Sequence, residues 1–111
     1  MSSRPLKGAI SLKKNSKALD TEIEEALGSS GRIRILKFLI GNPKSEQSLS
    51  VFRLRTLTGL RGKNVEKHLE TLVKWSWVEE IGIDGGKKYR LRRENPKVEA
   101  LIEFFKNTGY I

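Results

Sequence analysis

Between Ser50 and Trp75 the chain carries two amphipathic stretches with almost nothing between them. The first, "VFRLRTLTG", follows Ser50, whose hydroxyl can accept from the free N–H groups of a helix start. It places Val51, Leu54 and Leu57 on one side and stops at Gly59. The second, "RGKNVEKHLETLVKW", gathers Val65, Leu69, Leu72, Val73 and Ser76 within one arc at about 100° per residue. Each helix must bury its apolar side, and so short a joint around a glycine forces the two to cross at an angle. That is helix-turn-helix geometry, and the rest of the chain has to wall in its core.

The flanking stretches can supply those walls. Upstream, Thr21 and Glu24 have capping-box spacing, Ile23, Ala26 and Leu27 share a face, and Gly28 can end a short helix over 21–27. Ser30 or Gly31 then opens "RIRILKFLI", where Ile33, Leu36, Leu39 and Ile40 form a stripe, and "GNP" at 41–43 closes it. After Trp77 the period changes from helical to alternating. Ile81 and Ile83, then "DGG" at 84–86, then Tyr89 and Leu91 predict a two-stranded hairpin whose turn uses the positive φ open to Gly85 and Gly86. Lys88, Arg90 and Arg92 fall between the apolar residues of the second strand, so one face of the ribbon is basic. Asn95 caps a last helix with Pro96 at its first position, Val98, Leu101, Ile102 and Phe105 form its stripe, and Gly109 ends it. The prediction is one α+β domain over residues 18–111, mostly helical with a two-stranded β-hairpin. A basic arm over residues 1–17, rich in Ser, Lys and Gly, is read as flexible, either an unstructured tail or a DNA-contacting one.

A chain of 111 residues holds one domain with a modest core. Its formal net charge is +9, from 22 Lys and Arg against 13 Asp and Glu. That balance favours a polyanionic partner, nucleic acid or an anionic membrane surface. The excess is uneven: five bases and no acids in residues 1–17, four acids and no bases in 18–30, +5 over 31–60, zero over 61–80, +3 over 81–95 and zero over 96–111. No apolar run approaches the roughly 18 residues of a membrane span, and the basic N-terminus lacks the apolar core of a secretory signal. The absence of cysteine excludes disulfides and thiolate metal sites and fits an intracellular protein. With no Cys nucleophile, one histidine and no phosphate-cradling glycine motif, neither catalysis nor a cofactor is expected.

On the stretch from Arg61 to Trp75, Lys63, Asn64, Lys67 and Thr71 cluster opposite the apolar arc, with His68 at the boundary. Glu66 and Glu70 sit on the flank toward Val73, and Glu70 precedes Lys74 by one helical turn, in the order that favours an ion pair. Lysines suit phosphates, whereas Asn64, Thr71 and His68 can hydrogen-bond base edges. Any solvated helix shows a charge-rich outer face. The tight turn before this one and the basic hairpin after it favour a reading role.

These residues resemble winged helix-turn-helix transcription regulators of the ArsR/MarR type, a group with many archaeal members. "LSVFRLRTLTGL" (49–60) and "RGKNVEKHLETLVKWSWVEE" (61–80) match the positioning helix, turn and recognition helix without gaps, and Val65, His68, Leu69 and Leu72 carry the most family-like spacing. "GRIRILKFL" (31–39) resembles the preceding helix and "DGGKKYRL" (84–91) the wing, so the likeness covers roughly residues 30–92. It implies a recognition helix at about 61–76 in the major groove and a wing at about 78–92 on the backbone or in the minor groove. Lys63, Asn64, Lys67, His68 and Thr71 are then the groove candidates, and Lys87, Lys88, Arg90, Arg92 and Arg93 those of the wing. Arg53 and Arg55 would meet backbone phosphates, and Arg61 is a further DNA-binding candidate. Three positions depart from the pattern. Arg61 stands where a capping Ser is usual, Glu66 where Ser or Thr is usual, and Ser76 where a Gly usually precedes the wing. Glu66 would repel a phosphate or accept from a cytosine amine. Trp75 and Trp77 are read as core packing or hairpin anchors rather than base-stacking platforms. The resulting expectation is a cytoplasmic, nucleoid-associated protein that binds specific double-stranded DNA. It is expected to be a homodimer through the helix at 96–108, the helix at 21–27, or both. A DNA-organising or partition protein of the same fold, and a winged-helix protein-interaction module, are the alternatives.

Overall fold

Among the described residues, a helix is the first element and another is the last. The computed structural model describes the backbone of residues 8–41, 48–83 and 86–111, with side chains from Ala18 onward apart from Ile83. In chain order the elements are α1 (Gly8–Leu27), α2 (Ser30–Gly41), β1 (Leu49–Ser50), α3 (Val51–Thr58), α4 (Gly62–Lys74), β2 (Val78–Ile83), β3 (Gly86–Leu91) and α5 (Pro96–Thr108). The first helix begins at Gly8 rather than Thr21, so Thr21 lies mid-helix and is not a cap. Of the arm expected over 1–17, residues 1–7 lie outside the described residues, and 8–17 belong to α1. No proline or glycine interrupts 9–27, and the Lys, Leu and Ala residues there are good helix formers, so propensity extends α1 where a periodic stripe is missing. The α2 cap sits one residue earlier than expected: the Ser29 hydroxyl accepts from Gly31 N at 3.1 Å and Arg32 N at 3.4 Å. The "NP" expected to stop α2 lies outside the described residues.

The core is one cluster: Ala26 of α1, Ile35, Leu36, Leu39 and Ile40 of α2, Leu54 of α3, Val65, Leu69 and Leu72 of α4, Val98, Leu101, Ile102 and Phe105 of α5, and Trp77, Val78, Tyr89 and Leu91 from the sheet and its approach. Ile35 belongs to the α2 stripe ahead of Ile33, which is only partly buried.

The sheet has three antiparallel strands in the order β1-β3-β2, not two. In β1, Leu49 pairs with Tyr89 and Ser50 with Lys88. A strand of two residues carries no alternation for the sequence to show, and Ser50 serves twice, closing β1 and capping α3 through a bond from Arg53 N at 3.1 Å. Across β2 and β3 the register pairs Val78 with Leu91, Glu79 with Arg90, Glu80 with Tyr89 and Ile81 with Lys88. Successive side chains alternate faces, so Val78 rather than Ile81 is the core residue of β2, and Ile81 shares the outer face with Glu79, Lys88 and Arg90.

Polar ties fasten α1 and α5 to the turn between α4 and β2. Glu22 of α1 is 6% exposed. Its carboxylate accepts from the buried Trp77 indole at 2.6 Å and pairs with Lys97 in the first turn of α5 at 2.6 Å. One helical turn on, Glu25 accepts from Trp75 Nε1 at 2.9 Å and pairs with Lys74 at 3.2 Å. The Trp75 hydrogen bond, then that of Lys74, holds its carboxyl below the usual range. Lys74 therefore pairs with Glu25, not with Glu70. Asn95 caps α5 by accepting from Lys97 N at 2.9 Å and donates to the Ser76 carbonyl at 2.9 Å. Ser76 has φ +64°, the left-handed conformation for which the family-like pattern supplies glycine. Both tryptophans thus act as anchors.

Candidate nucleic-acid interface

Helices α3 and α4 meet through a turn that their sequence dictates. Gly59 takes φ +77° and its N–H donates to the Arg55 carbonyl at 2.8 Å, ending α3. The Thr58 hydroxyl donates to Leu54 O at 2.6 Å and accepts from Leu60 N at 3.2 Å, so the turn backbone is satisfied locally. Arg61 opens α4 with no side-chain cap; its carbonyl receives Val65 N at 2.9 Å. A Cβ on Gly62 would lie 3.2 Å from Arg55 Cδ, so glycine there lets the Arg55 stem lie against the start of α4. Uncapped N–H groups at the start of α4 make it a favourable neighbour for an anion.

On α4, Val65, Leu69 and Leu72 point inward, and Lys63, Asn64, Glu66, Lys67 and Glu70 are exposed. The two remaining groove candidates are engaged within the protein. His68 is half-buried and faces α2: a Cβ on Gly31 would lie 2.6 Å from its Nε2, and Arg32 Nη1 donates to its Nδ1 at 3.4 Å. A guanidinium can only donate, so Nδ1 is the unprotonated nitrogen. Burial, then the Arg32 charge, pushes the imidazole pKa below its ordinary value. Thr71 is half-buried, and its hydroxyl donates back to Lys67 O at 3.3 Å.

The basic candidates divide in the same way. Arg53, Arg55, Arg61, Lys63, Lys67, Lys88 and Arg93 are exposed and have no acidic partner among the described residues. The other three are paired. Arg90 bonds Glu79, its cross-strand neighbour, through Nε at 2.9 Å and also through Nη2. Arg92 reaches Glu79 at 3.8 Å and Glu94 at 3.3 Å, and Lys87 reaches Glu80 at 3.9 Å. The Arg90 hydrogen bond holds the Glu79 carboxyl below the usual range. The basic ribbon face expected from Lys88, Arg90 and Arg92 therefore also carries a carboxylate, Glu79, opposite Arg90.

Sequence reasoning passed over a cleft of about 570 Å³ between α3, α4 and the sheet, lined by Ser50, Val51, Phe52, Glu66, Glu70, Glu80, Lys87 and Tyr89. Burial, then the neighbouring carboxylates led by Glu80, pushes the Tyr89 hydroxyl up. Away from this side, an apolar groove of about 540 Å³ runs between α1, α2 and α5, lined by Leu27, Ile33, Leu101, Phe104, Phe105 and Tyr110. Among the described residues no cluster of metal-ligating side chains occurs and no helix is long and apolar enough to cross a membrane.

No protein-family model and no curated relative matches the chain. Solved structures do. Reduced HlyU from Vibrio cholerae is 24% identical, with a TM-score of 0.71 over 88% of this chain and 95% of that one. The transcriptional repressor BigR from Xylella fastidiosa is 17% identical, with a TM-score of 0.69 over 90% and 94%. The homodimeric winged helix-turn-helix DNA-binding domain Mb0332 from Mycobacterium bovis, a possible ArsR-family regulator, is 19% identical, with a TM-score of 0.63 over 98% and 90%. At these identities the likeness is one of architecture. The α2–α3–α4 unit, the β2–β3 wing and the flanking α1 and α5 make this chain a winged helix-turn-helix fold.

Proposed function

We propose that the protein binds double-stranded DNA as a transcription regulator, with α4 in the major groove and the β2–β3 wing on the backbone or in the minor groove. One observation carries this reading: exposed cations without acidic partners among the described residues, Arg53, Arg55, Lys63 and Lys67 on the two helices and Arg61 at their joint, line a helix-turn-helix whose reading helix starts uncapped. The chain's likeness in architecture to a transcriptional repressor and to a winged helix-turn-helix DNA-binding domain supports it. On this reading Lys88 and Arg93 are the wing's phosphate contacts, while Arg90 and Arg92 chiefly hold the ribbon together. The protein would act at the nucleoid in the cytoplasm. Binding of a random duplex pool across a salt series tests it. Lys63→Ala and Lys67→Ala should each weaken binding to all sequences alike and reduce the salt slope by about one. Asn64→Ala should instead change which sequences are selected. Unchanged binding in all three variants would refute the assignment of α4, and a footprint that lengthens with protein concentration would point to a DNA-organising role.

We further propose that a second copy covers the apolar groove beside α5. Phe104 is 60% exposed at its edge, and Leu19 and Ile23 of α1, with Tyr110 and Ile111, add exposed apolar surface. Sedimentation at micromolar concentration should give a dimer for the full chain and a monomer for Phe104→Glu. A monomeric unsubstituted protein would sink the dimer.

A further inference from the structure

The cleft between α4 and the wing root sits awkwardly in a protein built to meet a polyanion. Glu66 and Glu70 stand one turn apart on α4, both exposed, and neither has an ion pair or hydrogen bond among the described residues. Like charges at this spacing repel in an isolated helix, and no cation forms an ion pair with either carboxylate among the described residues. Across the cleft Glu80 adds a third carboxylate, engaged with Lys87 and Tyr89. Phe52, 70% exposed, forms the α3 wall.

What can dock here follows from what the walls reject. A phosphate meets Glu66 and Glu70 on one side and Glu80 on the other, where Lys87 is already paired with Glu80, and an aromatic ring that offers it no hydrogen bond. The edge of a base pair in the major groove is different, because it carries exocyclic amines, which only donate, and the thymine methyl. A carboxylate only accepts. Adenine's amine is flanked by the N7 acceptor, which repels a carboxylate; cytosine's amine has only a C–H beside it on its own edge. The exposed cations Lys63 and Lys67 occupy neighbouring positions of the same helix, where they can take the phosphates that Glu66 repels.

Resting on the DNA-binding reading above, we propose that Glu66 is a specificity-determining residue that accepts a hydrogen bond from a cytosine amine, with Phe52 beside it against a thymine methyl. Carboxylates on this flank keep the backbone out and admit only base edges. Glu66 thereby lowers affinity for duplexes in general and restores it for one base pair.

Selection from a random duplex pool, with the full chain and its Glu66→Gln and Phe52→Ala variants, tests this. The unsubstituted protein should fix a cytosine at one position of its site, and changing that base pair should cost roughly tenfold or more in affinity. Glu66→Gln should lose that preference or exchange it for adenine, whose N6 and N7 a glutamine can engage together. It should also bind unrelated duplexes more tightly. Phe52→Ala should relax an adjacent thymine. If Glu66→Gln gains affinity for every duplex equally and selects the same site as before, Glu66 faces phosphates and the inference is overturned while DNA binding stands. If the unsubstituted protein binds no duplex at low salt, both fail together.

Discussion

Replacing Trp77 by alanine is expected to remove about 4 kcal/mol of folding stability, as is usual for truncating a large buried aromatic side chain, and to lower the thermal midpoint by on the order of 20 °C. Trp77 is among the largest fully buried side chains, wedged where α4 gives way to the sheet. Its loss leaves a cavity and also strips Glu22, a carboxylate held almost out of water, of its indole donor. Lys97 remains as the partner of Glu22 but is itself partly solvated. The two contributions separate experimentally. Trp77→Phe refills most of the volume without supplying an N–H, and should cost about 1–2 kcal/mol. A Trp77→Phe, Glu22→Leu double-mutant cycle, in which each single variant removes one partner of the bond, reads the coupling directly when followed by denaturant unfolding. Additive costs would mean that the buried bond contributes nothing beyond packing.

Why this tie escaped sequence reading is instructive. The stripes of α2, α4 and α5 were legible because local periodicity alone produces them: Leu36, Leu39, Val65, Leu69, Leu72, Val98, Leu101, Ile102 and Phe105 are all buried as expected. Glu22 and Trp77 are 55 positions apart and meet only through the fold. Nothing in "DTEIEEAL" distinguishes a buried glutamate from the exposed ones around it. The Glu79–Arg90 pair is a different case, because it hangs on one residue of register. A turn over 84–86 would set Glu80 opposite Arg90; with Gly86 in β3 instead, Ile83 stands opposite Gly86 and Glu79 opposite Arg90. His68 illustrates a third kind of difficulty. A boundary position on a helical wheel does not say which neighbour lies beside it, and here the neighbour is α2, which leans in at Gly31.

The same structure changes where affinity and selectivity would reside. Counted from sequence, the wing carries the late excess of positive charge; counted after pairing, Lys88 and Arg93 are its unpaired cations among the described residues. Surface ion pairs contribute little to stability, so Arg90 and Arg92 could still exchange Glu79 for a phosphate, but only by giving up a partner already in place. The helix-turn-helix cations give up nothing. Affinity is therefore expected to rest more on α3 and α4 than the linear charge distribution implies. That places weight on whatever holds α3 in position.

Leu54, with the partly buried Val51 beside it, does so, and Leu54→Ala is expected to cost about 3 kcal/mol while loosening α3 more than any other element. An eight-residue helix is far below the roughly 12 residues at which isolated helices become even marginal. Its only fully buried side chain is Leu54; the Ser50 cap and the left-handed Gly59 stop fix its two ends. Without Leu54, amide exchange should accelerate across Val51–Thr58 before it does in α4, whose three buried residues anchor it independently. On the proposed DNA-binding function, duplex affinity per folded molecule should fall as well, because Arg53 and Arg55 ride on α3 and the Arg55 stem lies against the start of α4. Ile35→Ala, an equally buried site on α2, supplies the comparison. It should cost similar stability yet leave affinity per folded molecule nearly unchanged. Equal losses of affinity in the two variants would show that α3 has no special part in presenting α4, and that general destabilisation accounts for both.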